Sequence, residues 1–142
     1  MRFHEFSIDG RRVVGGQGAG EAIVSGQGIS FFGGVDPKTG IVTEHGHQLR
    51  GETIRGKVLV FPRGKGSTVG SYVIYGLRKN NAAPVAILNI ETEPIIIAGC
   101  VLGGIPLVDR PSKNPIEFIK TGDWVHVDAD VGRVLVRKRC PS

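Results

Sequence analysis

The sequence predicts one α/β domain that is rich in β-strands, with a barrel-like or sandwich-like sheet and few helices. Three observations support this fold class. The chain has 142 residues, which suits a single compact domain spanning 1–142. Glycine accounts for 22 of them, about twice the usual share, and lies among β-branched runs. Near the middle, two apolar runs flank a glycine loop and a helical repeat, a pattern typical of parallel strands joined by a helix.

The first third of the chain contains short β-prone runs separated by glycine-rich turns. The β-prone runs are 11–14, 21–25, 29–32 and 41–43. Two glycine-rich segments between them, 15–20 and 33–40, are expected to form turns or bulges, and Asp36-Pro37 strengthens the second expectation.

The middle of the chain predicts a strand, a loop, a helix and a second strand. The uninterrupted apolar run at 57–61 is typical of a strand buried on both faces. Apolar residues then recur at helical spacing: Val69, Val73 and Leu77. Ser67 or Thr68 is expected to cap the start of this helix. Pro84 should stop the helix before the next strand at 85–89. The two strands should be parallel neighbours.

The last third predicts a short helix, a strand and a closing hairpin. The helix should begin at Pro94, and the strand should occupy 105–108. The hairpin strands should be 124–128 and 133–136. The chain ends, which are the extension 1–9 and the tail 140–142, are candidates for disorder.

Composition and charge exclude several classes of protein. The two cysteines, Cys100 and Cys140, cannot form a disulfide framework or hold a zinc ion or iron–sulfur cluster alone. The net charge is +5, but the basic segment at 133–139 has no interleaved aromatics, so nucleic-acid binding is not predicted. The longest apolar run, about 14 residues, is short for a membrane span. No secretory signal is visible, so we expect a cytoplasmic protein.

The loop between the buried strand and the helix is the strongest candidate for chemistry. It consists of Arg63, Gly64, Lys65, Gly66, Ser67 and Thr68. Its glycines let backbone N–H groups converge, and the helix start adds unpaired donors and partial positive charge. With two cationic side chains, this favours a phosphate or carboxylate site and an ionised Ser67 hydroxyl. The alternative is purely structural: a glycine turn in which Ser67 only caps the helix. The spacing does not match a Walker A loop.

Other polar residues give weaker signals. His45 and His47 could bind a metal together, but no third ligand is apparent, and an exposed loop is the simpler interpretation. Cys100 lies in an apolar run and is expected to be buried and unreactive. The sequence contains no Ser–His–Asp triad that can be assembled from its spacing.

Three segments resemble the small subunit of the aconitase X family. They are 30–40, with SFFGGVDPKTG; 56–72, with GKVLVFPRGKGSTVGSY; and 120–130, with KTGDWVHVDAD. The resemblance covers nearly the whole chain. It implies a swivelling β/β/α domain and a separate large subunit that carries a [4Fe–4S] cluster. It also implies dehydration of (R)-5-phosphomevalonate to trans-anhydromevalonate 5-phosphate in a modified mevalonate route to isoprenoids.

The resemblance places Ser67 at the position of a catalytic serine that accepts a proton. The surrounding residues Arg63, Gly64, Lys65, Gly66 and Thr68 are then expected to bind the anionic substrate. Two other functions stay open at this point. One is a dehydratase for cis-3-hydroxy-L-proline, whose substrate has no phosphate. The other is a non-catalytic module that binds an anion or a protein.

Overall fold

Residues 3–139 are described by a computed structural model, and they form ten strands and three helices. The strands are β1 (Phe3–Asp9), β2 (Arg11–Val14), β3 (Gln17–Val24), β4 (Ile29–Ser30), β5 (Val58–Phe61), β6 (Gly64–Lys65), β7 (Ala86–Asn89), β8 (Leu107–Asp109), β9 (Trp124–Asp128) and β10 (Arg133–Arg139). The helices are α1 (Gly70–Lys79), α2 (Pro94–Gly103) and α3 (Pro115–Phe118).

Eight strands form one sheet in the order β1-β10-β9-β3-β5-β7-β8-β2. Its centre, β3 to β8, is parallel, and the pairs at both ends are antiparallel. β1 and β2 lie at opposite ends of this order, although only Gly10 separates them in the chain. The sheet must therefore curl back on itself like a barrel. A separate two-stranded ribbon pairs β4 with β6 in parallel.

The hydrophobic core has two parts, one on each face of the central strands. Val58 and Val60 of β5 point into the curled sheet, where they join buried residues of β9 and β10. Leu59 and Phe61 point to the other face and pack with buried residues of α1 and α2. All four side chains are fully buried, which confirms the prediction of a strand buried on both faces. The strand–loop–helix–strand prediction is confirmed as well, since β5 and β7 are parallel neighbours.

Three local expectations differ from the structure. The glycine-rich segment expected to turn at 15–20 mostly belongs to β3, because Gln17 to Glu21 pair with β9. Helix α1 begins at Gly70 with Val69 as its N-cap, so neither Ser67 nor Thr68 occupies that position. The extension expected to be a candidate for disorder forms β1 from Phe3 onward and pairs along its length with β10. The tail at 140–142 lies outside the described residues.

Candidate active site at the carboxyl edge of the parallel strands

The loop that follows β5 is held in place by backbone hydrogen bonds to strand β4. Gly64 and Lys65 form β6, which pairs with Ile29 and Ser30 of β4. The carbonyl oxygen of Arg63 accepts a hydrogen bond from the Ile29 N–H group at 3.2 Å. The loop therefore belongs to a small ribbon beyond the carboxyl end of β5. In open α/β sheets this edge is where ligands usually bind.

Both glycines of the loop allow close packing. A Cβ atom on Gly64 would lie 2.7 Å from the side chain of Ile96 in α2, closer than packed carbon atoms can approach. Gly66 has φ +92°, and a Cβ atom there would overlap Oγ of Ser30. These positions let the ribbon pass tightly over α2 and turn sharply into Ser67.

Ser67 is exposed to solvent in the turn that leads into helix α1, three residues before the helix begins at Gly70. Its Oγ accepts a hydrogen bond from the Val69 N–H group at 3.2 Å, and its carbonyl oxygen accepts one from Gly70 at 3.0 Å. The hydroxyl group thus lies in the partial positive potential of the helix N-terminus. A substrate that approaches from outside the fold can reach it without any rearrangement of the core.

The two cations of the loop have different surroundings. Lys65 Nζ forms an ion pair with Glu44 Oε2 at 2.8 Å, and Glu44 Oε1 also accepts a hydrogen bond from the Ser30 N–H group at 2.9 Å. Burial tends to raise the pKa of Glu44, but the hydrogen bonds from Lys65 and Ser30 outweigh it, so the pKa is lowered. Within residues 3–139, the Arg63 guanidinium has no such partner. Arg63 is therefore the more available of the two cations.

A second helix begins beside the first one. A Cβ atom on Gly70 of α1 would lie 3.3 Å from Ile95 of α2, and a Cβ atom on Gly99 of α2 would lie 2.7 Å from Ile74 of α1. The start of α1 thus contacts the start of α2, and the middle of α1 contacts the middle of α2. The two helices therefore run parallel, and both N-termini are at the same edge of the sheet. Gly99 permits this close approach. The positive ends of two helix dipoles therefore lie together near Ser67.

The sequence did not indicate a buried polar network at the ends of β7 and β8. Asp109 is fully buried, and its carboxylate accepts two 2.8 Å hydrogen bonds from Arg11 and one from the Thr92 N–H group. Burial alone would raise the pKa of Asp109. The hydrogen bonds from Arg11 and Thr92 together have the larger, opposite effect, so the pKa is lowered. Asn89 donates to the carbonyl oxygen of Phe61, the last residue of β5. The signal available beforehand was the position of Asn89 and Asp109 at strand ends.

The weaker candidates have structural roles. His47 is buried, with Nε2 3.1 Å from the Gly28 carbonyl oxygen and Nδ1 accepting from the Leu49 N–H group, whereas His45 is exposed. Between residues 3 and 139, no group of three or more His, Cys, Asp or Glu side chains could hold a metal ion. Cys100 is fully buried, and burial raises the pKa of its thiol to about 12, so the expectation of an unreactive cysteine agrees with the structure.

The comparisons with known proteins identify the family. The sequence pattern described as "Aconitase X swivel domain" matches residues 7–136, and the chain belongs to this family. The predicted fold class and the resemblance noted from three sequence segments are confirmed.

The similar proteins point to one particular member. The chain is 57% identical over 125 residues to the phosphomevalonate dehydratase small subunit of Methanocella arvoryzae. The aligned region covers 88% of this chain and 95% of that protein. It is 55% identical over 129 residues to the protein of the same name from Thermococcus kodakarensis, covering 91% of this chain and 95% of the relative. The crystal structure of Thermococcus kodakaraensis aconitase X in its holo-form superposes with a TM-score of 0.87 at 54% identity, over 92% of this chain and 97% of that one.

Among the described residues, no helix is long and apolar enough to cross a membrane.

Proposed function

We propose that this chain is the small subunit of a phosphomevalonate dehydratase, a hydro-lyase that acts only together with a large subunit. The reaction removes water from (R)-5-phosphomevalonate and yields trans-anhydromevalonate 5-phosphate. Relatives that match most of the chain at 50–57% identity carry this name. Their names do not favour the hydroxyproline dehydratase or the non-catalytic module considered from the sequence. The pathway proposed is the modified mevalonate route to isoprenoids, and the cytoplasm is the proposed location.

In this proposal Ser67 accepts the proton from the carbon next to the substrate carboxylate. Such a proton is weakly acidic, so the base must be strong and well placed. A neutral serine is a poor base, but the N-terminus of α1 and the guanidinium of Arg63, from the same loop, would stabilise its alkoxide. The single observation that carries the proposal is the exposure of Ser67 at this positive helix end.

The remaining loop residues bind or shape the substrate site. Arg63 would hold a carboxylate or phosphate group directly. Gly64 and Gly66 would keep the backbone of the loop close to the substrate, and Thr68 would contribute its backbone and hydroxyl at the helix start. Lys65 would act mainly by adding positive potential, because its ammonium group is paired with Glu44.

The iron–sulfur cluster is proposed to belong to the large subunit. Residues 3–139 do not fit such a cluster, because Cys100 is buried in the core and no group of three or more His, Cys, Asp or Glu side chains in this range could hold a metal ion. When bound by the partner, the cluster would supply a Lewis acid for the departing hydroxyl group. The proton-accepting half of the reaction is the part that this chain would contribute.

Replacing Ser67 tests the proposal. Ser67→Ala, combined anaerobically with the large subunit, should lower turnover of (R)-5-phosphomevalonate by about 10²–10⁴-fold, the usual contribution of a general base. Ser71→Ala is the matched control, because Ser71 lies in the first turn of the same helix and its hydroxyl donates to the Thr68 carbonyl oxygen at 3.1 Å. The control should retain near-normal turnover.

Turnover of Ser67→Ala at the rate of Ser71→Ala would contradict the role of Ser67. The same preparations should be offered cis-3-hydroxy-L-proline. Preferential turnover of that compound by the unmodified complex would contradict the proposed substrate.

A further inference from the structure

Helix α2 has a composition that is unusual for a helix at the surface. Its ten residues, PIIIAGCVLG, include no charged, amide or hydroxyl side chain. A helix that is apolar all round is normally buried all round. Within residues 3–139, only one side of α2 is covered, by the sheet and by α1.

The uncovered side of α2 forms one continuous apolar strip. We define the α2 strip by its four exposed residues, Pro94, Ala98, Val101 and Leu102. Their spacing of four, three and one residues places them on one face of the helix. Val101 is 62% exposed and Leu102 is 53% exposed. Contiguous exposed apolar surface of this kind marks a contact with another molecule.

We infer that the α2 strip is a docking surface for the large subunit of the dehydratase. This inference rests on the proposed function, in which the large subunit supplies the metal that works opposite Ser67. That subunit must then cover the edge where α1 and α2 begin. Because Ile95 at the start of α2 packs beside Gly70 at the start of α1, the strip starts within this covered edge.

The dimensions of the helix support this occupant. Val101 lies six residues after Ile95, which corresponds to about 9 Å along a helix. A standard interface covers about 800 Å² on each partner, equivalent to a disc about 16 Å in radius. An interface that includes the Ser67 edge would therefore reach Val101 and Leu102. The strip carries no charge, so the matching surface of the large subunit is apolar as well.

The test compares two exposed leucines in the complete chain. Leu102→Asp places a charge on the α2 strip. Leu135→Asp places a charge on the exposed face of strand β10 instead, outside the α2 strip. We expect Leu102→Asp to raise the Kd for the tagged large subunit about 10- to 100-fold, as measured by sedimentation or interferometry. Leu135→Asp should change the Kd less than about threefold. The double variant Val101→Ala/Leu102→Ala should also weaken binding, and it remains informative if an aspartate variant does not fold.

Three binding results would overturn the inference. An unchanged Kd for Leu102→Asp and for the double alanine variant excludes the strip from the interface. Equal weakening by Leu135→Asp shows that the effect is not specific to α2. A self-association of the isolated chain that Leu102→Asp abolishes, with normal binding of the large subunit, assigns the strip to a second copy of this chain. Binding that behaves as expected without turnover of phosphomevalonate contradicts only the proposed reaction.

Discussion

Gly66 and Gly51 share nearly the same left-handed backbone conformation but differ in their surroundings. Their φ angles are +92° and +90°. A Cβ atom on Gly66 would overlap Ser30 Oγ, whereas one on Gly51 would meet no atom within 4 Å. An alanine would strain the backbone at both positions. Only at Gly66 would it also displace the loop that carries Ser67.

Gly66→Ala should therefore reduce activity, while Gly51→Ala should not. Both substitutions should cost about 1–3 kcal/mol of unfolding free energy, because alanine is strained at these φ angles. Only Gly66→Ala should lower kcat, by about tenfold or more, since the alanine methyl group must push the loop and Ser67 away from Ser30. Turnover by the reconstituted complex and urea denaturation of each variant measure the two effects. Equal kcat values for the two variants would contradict this account of Gly66.

The position of the loop at 63–68 could be predicted from sequence because its signals are local. An apolar strand, a glycine loop and a helical repeat follow one another within residues 57–79. The partners of the loop could not be predicted. Lys65 pairs with Glu44, 21 residues earlier, and no local pattern in the sequence indicates that pairing. The same limit applies to Arg11 and Asp109, which are 98 positions apart in the sequence.

Strand β8 and strand β2 are joined by backbone pairing and by the buried carboxylate of Asp109. Arg11 donates both hydrogen bonds from β2, and Thr92 donates from the loop that precedes α2. The two strands form one end of the sheet, so this network fixes the edge next to which α2 begins. A second Arg–carboxylate pair, Arg110 with Glu91, lies close in the chain but is exposed to solvent.

Asp109→Asn should destabilise the protein more than Glu91→Gln. Loss of the charged hydrogen bonds to Arg11 should cost about 1.5–3 kcal/mol, because Asp109 is buried. Loss of the exposed Arg110–Glu91 pair should cost clearly less, because solvent screens the attraction between the two charges. Urea denaturation at pH 7 measures both values. The idea fails if the two variants have the same stability.

The pH dependence of stability gives an independent check on Asp109. Its pKa is lowered in the folded state, so its ionised form is favoured by folding. This contribution is complete above the pKa of an unfolded aspartic acid, about 3.9, and is lost as the pH falls through the lower folded-state pKa. The stability difference between the unmodified protein and Asp109→Asn should therefore be constant near neutral pH and shrink below about pH 4.

Glycines also explain where strand prediction failed. The segment at 15–20 has the composition of a turn, yet most of it is extended in β3 because of contacts distant in sequence. A Cβ atom on Gly18 would overlap the Val85 carbonyl oxygen, so glycine there allows a close backbone approach. The strand is held by pairing with β9, more than 100 residues later. No local pattern carries that information.

The first strand closes the fold, although the sequence offered little sign of it. β1 pairs with β10 from Phe3↔Arg139 to Asp9↔Arg133, so the first and last strands of the described residues form one antiparallel pair. Ile8 of β1 is fully buried in the interior of the curled sheet, and its neighbour Ser7 is exposed on the outside. If this strand is part of the folded core, replacing each of the two side chains by alanine must change the free energy of unfolding by very different amounts.

Ile8→Ala should lower the free energy of unfolding by about 2–5 kcal/mol, because it leaves a cavity among the buried valines of β9 and β10. Ser7→Ala should change it by less than about 0.5 kcal/mol, since that side chain faces solvent. Chemical denaturation of both full-length variants measures the difference, and hydrogen exchange of the β10 amides reports whether their pairing with β1 persists. If residues 1–9 were a disordered extension, Ile8→Ala would be as harmless as Ser7→Ala, and the β10 amides facing β1 would exchange as freely as those of an open edge.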